Sequence, residues 1–403
     1  MQTGITVKSS NLDVDLKDRV VLQIVPSMNS GGVEQATLDI SGAIVKAGGR
    51  GLVATSGGRL VDKLEAVGAE TFLLPLNTKN PFKIFLNIFR LSKVIDLNRV
   101  DIVHARSRAP AWSSFFAARR CNVIFITTYH GAYSGTSPWK NYYNSIMTKG
   151  IRVIANSSFT AETIIKKYRL SPKRVITIPR GISKTEFDPE AVSMQRQKRI
   201  LNEWGITEEP RELILLPARF SRWKGHTVLI EAANHLRSFG HKNFICILAG
   251  DSRGRDTFVK ELKLYIEKLK LNGIVKIVGH CSDMPAALAT STVVVSASTE
   301  PEAFGRVAVE AQAMARPVIV ADHGATRETV INGETGWRVA PGDSYALAQA
   351  LDATLSLSTA VRAQSGQNGR DRVLKYYSVE QMCNKTINLY NELSGGPFEQ
   401  EQA

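Results

Sequence analysis

Short apolar runs that alternate with helical stretches constrain the fold of this chain most strongly. Two series of six runs occur, one in residues 19–181 and one in residues 212–341. The first series is RVVLQIVPS (19–27), RGLVATS (50–56), VDIVHA (100–105), VIFITTYH (123–130), IRVIANSS (151–158) and RVITIPRG (174–181). The second is ELILLPARF (212–220), NFICILAGD (243–251), IVKIVGH (274–280), TVVVSAS (292–298), RPVIVAD (316–322) and GWRVAP (336–341). Strands that alternate with helices predict a parallel sheet covered by helices on both faces.

A polar segment separates the two series. At 403 residues the chain is long for one core, and two domains of about 180–200 residues are expected. We predict two doubly wound α/β domains in tandem, residues 1–190 with a loose lead-in at 1–18, and residues 191–377, joined near 185–205. Ligands bind outside the carboxyl ends of the strands in open α/β sheets, so two such domains facing each other would form a cleft.

The formal net charge of +14 is concentrated in the first half. Residues 1–190 hold 26 Lys and Arg against 14 Asp and Glu, whereas residues 191–403 hold 25 against 23. The first half therefore predicts an anionic partner, and nucleic acid, an acidic membrane and a phosphorylated substrate all fit.

The apolar runs and the cysteines give little indication of a membrane span, a signal peptide or a cysteine-based site. No apolar run approaches the roughly 20 residues that span a bilayer, and the N-terminus lacks the apolar stretch of a signal peptide. Four widely separated cysteines without metal-ligand spacing predict reduced thiols in a cytoplasmic protein. They are Cys121, Cys246, Cys281 and Cys383.

Gly31 and Gly32 follow the first apolar run and precede a helical pattern that begins near Val33. A glycine pair there lets the backbone approach a phosphate or a sugar, with N–H groups of the helix pointing at it. A plain tight turn is the alternative. No GxGxxG or Walker A pattern occurs, so neither a nicotinamide enzyme nor a P-loop NTPase is indicated.

Arg219 and Lys224 lie five residues apart in the loop after the first run of the second half. An Arg fork and a Lys point charge would grip a diphosphate and stabilise the negative charge of a leaving group. A solvated basic loop is the alternative, although it is less routine in a half whose charge is nearly balanced.

His130 stands just past a predicted strand end, beside Gly131. Such a histidine is either structural or catalytic, and the absence of a second nearby His or Cys argues against a metal. The chain's DxD-like pair, Asp13 and Asp15, falls in the lead-in, remote from every predicted strand end. We therefore expect no metal site there.

Glu302 and Glu310 are eight residues apart in an otherwise apolar segment, STEPEAFGRVAVEAQAMARP (298–317). A helix is predicted from about Gly305 to Ala315, which puts Glu302 just before its N-terminus. Buried carboxylates are usually paired or bind something. Glu302 either compensates the helix dipole or faces a polyhydroxylated ligand. Glu310 is either a paired helix residue or an acceptor for two vicinal ribose hydroxyls.

At this constellation the chain resembles the retaining glycosyltransferases of family 4, which adopt the GT-B fold. Glu302-x7-Glu310 with Phe304-Gly305 inside it resembles their signature, and the glycine loop with Glu34 resembles their N-terminal loop. Other similar motifs follow in the family's order along nearly the whole chain. They are NSSFTAETI, IPRGISKTEFDP, RFSRWKG, LAGD, VGH and HGATRETVINGETGWRVAPGD. The resemblance implies two Rossmann-like domains facing across a cleft, and a C-terminal helix at about 378–395 that packs back on the first.

The same resemblance implies a nucleotide diphosphate sugar as donor, with no metal ion or other cofactor. Arg219 and Lys224 would hold its diphosphate, and Glu310 would bind its ribose hydroxyls. Gly31 and Gly32 would approach the diphosphate and the sugar from the first domain.

Further positions carry over to the transferred sugar and the base. Glu302 and the backbone of residues 303–305 (Ala303, Phe304, Gly305) would contact the sugar hydroxyls, and His130 would lie near the sugar. Gly279 and His280 would lie against the nucleobase. The expected catalytic residues are Glu302, Arg219, Lys224 and His130.

Residues 106–120 and 127–162 resemble a bacterial subgroup that builds lipopolysaccharide core, including mannosyltransferases that use GDP-mannose. This implies transfer of mannose, with retention, to a glycan or glycolipid at the cytoplasmic face of the inner membrane. A UDP-hexose-dependent transferase of another surface polysaccharide remains an alternative. An epimerase or phosphorylase on the same fold is another, because fold does not fix chemistry.

Basic residues near strand ends of the first domain suit an acceptor that carries carboxylates or phosphates. They are Arg106, Arg108, Lys140 and Arg152. Arg180 stands where the family more usually has Asn, and we expect it to add a phosphate or acceptor contact.

Residues 80–100 predict a basic amphipathic helix with three phenylalanines, Phe82, Phe85 and Phe89. It could rest on an anionic leaflet, but packing of this stripe against its own sheet is the interpretation we favour. The chain has no recognisable nucleic-acid-binding module, so we expect no nucleic-acid partner.

Overall fold

A computed structural model describes residues 15–29, 31–131, 137–206, 212–252 and 254–395. In these ranges the strands form two sheets in which every pairing is parallel. The first sheet comprises β1 (Val20–Ile24), β2 (Arg50–Thr55), β3 (Glu70–Leu73), β4 (Ile102–Ala105), β5 (Ile124–Tyr129), β6 (Arg152–Ala155) and β7 (Val175–Thr177). The second comprises β8 (Glu212–Pro217), β9 (Phe244–Ala249), β10 (Val275–Val278), β11 (Val293–Ser296), β12 (Val318–Ala321) and β13 (Trp337–Val339).

Helices connect the strands. Those of the first half are α1 (Gly32–Lys46), α2 (Val61–Ala66), α3 (Pro81–Asn98), α4 (Arg108–Arg120), α5 (Pro138–Ser145) and α6 (Ser158–Tyr168). Those of the second half are α7 (Met194–Glu203), α8 (His226–Ser238), α9 (Asp256–Lys268), α10 (Met284–Thr290), α11 (Arg306–Ala313), α12 (Thr326–Thr329), α13 (Ser344–Ser356), α14 (Thr359–Tyr376) and α15 (Val379–Ser394). None of the helices within the described ranges has the length and apolar character that crossing a bilayer requires.

The strand order places a topological switch point in each sheet. The orders are β3-β2-β1-β4-β5-β6-β7 and β10-β9-β8-β11-β12-β13, so the chain reverses direction across the sheet beside β1 and beside β8. Strands β1, β4, β5, β9, β11 and β12 are buried along their whole length. Strands buried on both faces need mostly apolar side chains, which the sequence supplies, and Gln23 and His104 are polar exceptions with hydrogen-bond partners. The predicted α/β fold class with two doubly wound parallel sheets is confirmed.

The chain divides into two compact units. The first contains the described residues of 1–156, 163–178 and 380–403, and the second contains 157–162 and 179–379. Each sheet lies in one unit. From Glu380 onward, helix α15 belongs to the first unit, where the hydroxyl of Tyr390 lies 2.7 Å from Nδ1 of His104 on β4.

Arg106, directly after β4, points into the first unit and is only 2% exposed. Its Nε donates to Oε1 of Gln23 on β1 (2.7 Å), and the amide of Gln23 donates in turn to Oγ of Ser41 on α1 (2.8 Å). Burial lowers the pKa of Arg106, and the nearby Tyr390 acts in the opposite direction. The expectation that Arg106 contacts an acceptor is therefore wrong, because its side chain is used inside the unit.

Helix α3 is capped by Asn80, whose side-chain oxygen accepts from the N–H of Phe82 (2.9 Å). The helix ends at Asn98, and the next residue, Arg99, is in the left-handed conformation. The predicted helix over 80–100 is thus present, with Leu91, Val94 and Ile95 on its buried side. The phenylalanine stripe does not pack against the sheet as favoured above. Phe82, Phe85 and Phe89 are all exposed.

Candidate functional site

The loop after β8 is held tightly against the end of β11. It turns through a short 3-10 helix, Arg222–Lys224, and reaches α8 through Gly225, whose φ is 75°. A Cβ at Gly225 would lie 1.8 Å from the carbonyl oxygen of Ala297. Only glycine fits this position, because it tolerates both the positive φ and the close backbone approach.

That tight packing brings Lys224 to Glu302. Nζ of Lys224 forms an ion pair with Oε1 of Glu302, and each side chain is only 14% exposed. Oγ of Ser298 donates to the same carboxylate oxygen (2.6 Å). The ammonium also lies 4.1 Å from the centre of the Trp223 ring. Two predicted site residues from distant parts of the sequence therefore meet at the carboxyl edge of the second sheet.

The backbone of Glu302 is fixed as well. Its carbonyl oxygen accepts from the N–H of Ala325 (3.0 Å), and a Cβ at Gly324 would lie 2.6 Å from that oxygen. The next carbonyl, that of Ala303, accepts from Oγ of Ser157 in the same unit (2.6 Å). The side chain of Phe304 is buried. Of these residues, Glu302 is the one whose side chain forms the ion pair with Lys224.

Helix α11 begins at Arg306, after Gly305 with a φ of 75°, and ends at Ala313. Glu302 precedes its N-terminus, as predicted. Glu310, one turn into the helix from Arg306, accepts from Nη2 of Arg306 (2.6 Å) and is 12% exposed. Burial raises the pKa of Glu310, and the guanidinium of Arg306 opposes that shift. In this structure Glu310 is thus a paired helix residue.

Arg219 lies exposed just past the end of β8. Within the described ranges its guanidinium makes no hydrogen bond or ion pair with protein. Gly279 and His280 are exposed after β10, and the carbonyl of Gly279 accepts from the N–H of Gly250 after β9 (3.1 Å). The second unit therefore presents all its predicted residues except Glu310 in segments that follow strand ends.

His226, which sequence reasoning missed, packs against the residues at the start of the loop that carries Arg219 and Lys224. It is fully buried, with Nε2 3.4 Å from the carbonyl oxygen of Ala218 and its ring 5.0 Å from that of Phe220. Burial lowers the pKa of His226 to about 4. Ser298 was missed too, although its hydroxyl stands four residues before Glu302 in the segment singled out above.

Gly31, Gly32 and His130 belong to the first unit. Gly31, with a φ of 139°, precedes α1, and a Cβ there would lie 2.6 Å from Oε2 of Glu34. His130 directly follows β5, and its carbonyl oxygen accepts from the side-chain amide of Asn156 (3.2 Å). Both segments lie at carboxyl ends of strands, as the sequence predicts.

No group of three or more His, Cys, Asp or Glu in the described part of the chain is arranged to hold a metal ion. Asp13 lies outside the described residues.

Family models match the two halves of the chain in turn. The model described as "Glycosyltransferase Family 4" matches residues 30–186, and the one described as "Glycosyl transferases group 1" matches residues 197–372. Together they cover the segments that carry Gly31, His130, Arg219, Lys224 and both glutamates.

The chain is also similar to known proteins over most of its length. A glycosyltransferase from Rickettsia africae has a crystal structure with 36% sequence identity and a TM-score of 0.85, over 94% of this chain and 99% of that chain. The D-inositol 3-phosphate glycosyltransferase of Xylanimonas cellulosilytica is 26% identical over 293 residues, 67% of this chain and 69% of that relative.

A third likeness concerns the fold alone. Anabaena HepE, crystallised with UDP, is 23% identical, with a TM-score of 0.79 over 93% of this chain and 100% of that chain. Three observations indicate the same family. They are the parallel sheets with switch points at β1 and β8, the matched family models and the similarity to the Rickettsia glycosyltransferase. The chain therefore belongs to the family 4 type of glycosyltransferases that adopt the GT-B fold.

Proposed function

We propose that this protein transfers a hexose from a nucleotide diphosphate sugar to a glycan or glycolipid, with retention of configuration and without a metal ion. The observation that carries the proposal is the ion pair of Glu302 with Lys224, which lies in the same loop as the exposed Arg219, whose guanidinium has no partner among the described residues. A diphosphate needs fixed positive charge, and these cations stand where ligands of α/β sheets bind.

In the proposed ground state, Lys224 and Arg219 bind the diphosphate. Glu302 then accepts hydrogen bonds from hydroxyls of the sugar, with Ser298 keeping its carboxylate oriented. Glu310 accepts hydrogen bonds from the ribose hydroxyls, and its pairing with Arg306 is partly lost when it does so. Gly279 and His280 lie against the base.

From the first unit, the proposal assigns roles to two predicted segments. The backbone at Gly31 and Gly32 contacts the diphosphate and the sugar, and His130 contacts the sugar. Both segments follow strand ends of the first sheet, which is the edge where such contacts are made.

The chemical step proposed is a front-face displacement. The bond from the anomeric carbon to the leaving phosphate oxygen breaks while the acceptor oxygen bonds to the same face of that carbon. The acceptor's proton passes to the departing phosphate, so no enzymic base is needed. Lys224 and Arg219 stabilise the charge that develops on the phosphate, which is the term that usually contributes most to such catalysis. Glu302 and Glu310 do not flank a scissile bond as a glycosidase pair does.

The proposed donor is GDP-mannose and the proposed acceptor is a lipopolysaccharide core at the cytoplasmic face of the inner membrane. A UDP-hexose is the alternative donor, and the UDP bound to Anabaena HepE favours including it. The excess of cations in residues 1–190 supports an anionic acceptor.

A thermal-shift panel tests the donor. GDP, UDP, ADP and their sugars are added in excess EDTA to the wild type and to Glu310→Ala. A ligand at about 100 times its Kd adds roughly 2.7 kcal/mol to the free energy of unfolding. We expect stabilisation by one base only, retained in EDTA and lost in the variant. No stabilisation by any nucleotide would refute the proposal.

Product analysis then separates transferase from epimerase chemistry. With the stabilising donor and an acceptor glycan, a transferase releases nucleoside diphosphate and forms a glycoside in equal amounts. Proton NMR of the new anomeric centre reports retention. Conversion of the donor to an isomeric sugar without acceptor would establish an epimerase instead.

A further inference from the structure

Exposed aromatic rings cover the outer side of α3. Phe82, Phe85 and Phe89 are 68%, 53% and 46% exposed, and the rings of Phe85 and Phe89 meet edge to face at 5.3 Å. Single exposed apolar residues need no explanation, but a contiguous group of large rings indicates a binding surface.

The rings continue from α3 onto α4. The guanidinium of Arg120 on α4 lies 5.3 Å from the centre of the Phe89 ring. At the other end of α4, Trp112 stacks on exposed Phe116 at 6.5 Å. One surface therefore crosses both helices.

Helix α5 extends this surface further. The rings of Trp112 and Tyr142 lie 5.4 Å apart, which joins α4 to α5. Tyr142 is 63% exposed and Trp139 is 82% exposed, the largest value among the exposed large apolar residues described. We call the exposed faces of α3, α4 and α5 the aromatic surface. All three helices belong to the first unit.

The charge of these helices is almost all positive. Across α3, α4 and α5 the sequence has seven Lys and Arg and a single carboxylate, Asp96. The cations are Lys83, Arg90, Lys93, Arg108, Arg119, Arg120 and Lys140. Aromatic rings can insert at the surface of a bilayer, and the surrounding cations are attracted to anionic lipid headgroups. Together these features suit an anionic bilayer.

We propose that the aromatic surface docks this protein on the surface of an anionic lipid bilayer. Phe82, Phe85 and Trp139 enter the boundary between headgroups and acyl chains. Trp and Tyr are suited to that depth because they are apolar with one polar edge. The surrounding Lys and Arg side chains contact lipid phosphates. This inference goes beyond the donor chemistry and stands on the first unit alone, so it holds whichever sugar is transferred.

Vesicle co-sedimentation tests the proposal with the full chain. Vesicles contain either phosphatidylcholine alone or phosphatidylcholine with about 30% phosphatidylglycerol, an anionic content that attracts basic surfaces. We expect the wild type to sediment with the anionic vesicles at low salt and to be released at about 0.5 M salt, where screening is nearly complete.

Two variants locate the contact. Phe82→Ser, Phe85→Ser and Trp139→Ser together remove the rings, and Lys83→Glu, Lys93→Glu and Lys140→Glu together reverse the charge. Each triple variant should weaken binding to anionic vesicles by about tenfold or more. Lys83 and Lys140 lie in first helical turns, where Glu is favourable, so the charge variant is expected to fold. Retained thermal stabilisation by a nucleotide confirms that it does.

Helix α9 provides the matched control. Lys260→Glu, Lys263→Glu and Lys268→Glu make the same change of charge on another exposed helix, and this control should bind vesicles nearly as well as the wild type. Equal loss in the control would overturn the proposal, since overall charge would then explain binding. So would failure of the wild type to bind anionic vesicles at low salt.

A labelled single-stranded RNA provides the last comparison, because rings among cations also bind bases. The proposal expects weak RNA binding that the ring variant leaves unchanged. If RNA binds more tightly than vesicles and the ring variant loses it, the surface is a nucleic-acid site and membrane docking is wrong.

Discussion

Lys224 and Glu302, 78 residues apart in the chain, form a largely buried ion pair at the carboxyl edge of the second sheet. In this pair the carboxylate of Glu302 balances the charge of the Lys224 ammonium. Under the proposed function, a donor diphosphate replaces Glu302 as the partner of Lys224. Glu302 is then released towards sugar hydroxyls while its bond from Ser298 persists.

Lys224→Ala should lower kcat by about 10²–10³, corresponding to about 2.7–4 kcal/mol of transition-state stabilisation, as expected for loss of one oxyanion donor. The physical reason is that, under the proposed function, Lys224 stabilises the negative charge that develops on the leaving phosphate. Release of nucleoside diphosphate measures kcat. Arg222→Ala is the control, since Arg222 lies in the same turn but pairs with Glu261 on the surface. Near-normal kcat in Lys224→Ala would remove Lys224 from the mechanism.

Gly225→Ala should destabilise the protein more than alanine at a glycine with open surroundings. Both Gly225 and Gly273 have positive φ, 75° and 80°, but nothing lies within 4 Å of a Cβ built at Gly273. Both substitutions carry the cost of positive φ, and only Gly225→Ala adds a clash with Ala297. The difference between the two variants in the free energy of unfolding should be about 1–3 kcal/mol. Urea unfolding measures it, and equal losses would contradict the packing described.

The sequence predicts twelve of the thirteen described strands, because each is an apolar run bounded by turn or cap residues. It misses β3, a half-exposed edge strand whose residues Glu70–Leu73 show no apolar run. The helix after Gly305 is predicted to within two residues at its end. Thr71 and Phe72 are only half-buried and the other two residues of β3 are exposed, so packing dictates little of its residue pattern.

The contacts of individual side chains were harder to predict from the sequence than the helices and strands. The pairing of Lys224 with Glu302 depends on the packing of Gly225 against Ala297, which no local pattern reveals. Arg106 reads as a surface residue because arginine is rarely buried, yet α15 covers it from the far end of the chain. The expectation that the phenylalanine stripe of α3 packs against the sheet is wrong. Periodicity shows which residues share a helix face, but it does not show what that face contacts.

Glu310 should make nucleotide affinity depend on pH. Burial raises the pKa of this carboxyl, so it becomes protonated at a higher pH than an ordinary carboxyl as the solution is acidified. A protonated carboxyl accepts fewer hydrogen bonds from the ribose hydroxyls, so the affinity for the nucleotide should fall as the pH is lowered. Glu310→Gln should bind more weakly and show a flatter pH profile.

Arg306→Gln provides the complementary variant. The guanidinium of Arg306 lowers the pKa of Glu310 against the effect of burial, so its removal should move the fall in affinity to higher pH. Titration calorimetry with the stabilising nucleotide between pH 5 and 8 measures both profiles. An unchanged profile in both variants would show that Glu310 does not contact the ribose.

His226 should make stability depend on pH below neutrality. Burial lowers its pKa to about 4 from 6.5, and Lys224 adds to that shift. Between these two values the unfolded chain binds a proton that the folded protein does not, so the free energy of unfolding rises with pH. The stability is complete above the unfolded pKa, and up to about 3 kcal/mol of it is lost as pH falls from 6.5 to 4.

His226→Gln should therefore reduce that slope in urea unfolding measured at several pH values between 4 and 7. Part of the slope should remain, because burial among Tyr390, Thr128 and Arg106 also lowers the pKa of His104. His280→Gln, at an exposed position, should leave the curve unchanged. If His226→Gln kept the full wild-type slope, the pKa of His226 would be the same in the folded and the unfolded protein. Its ring could then not be packed against Phe220 beneath the loop that presents Arg219 and Lys224.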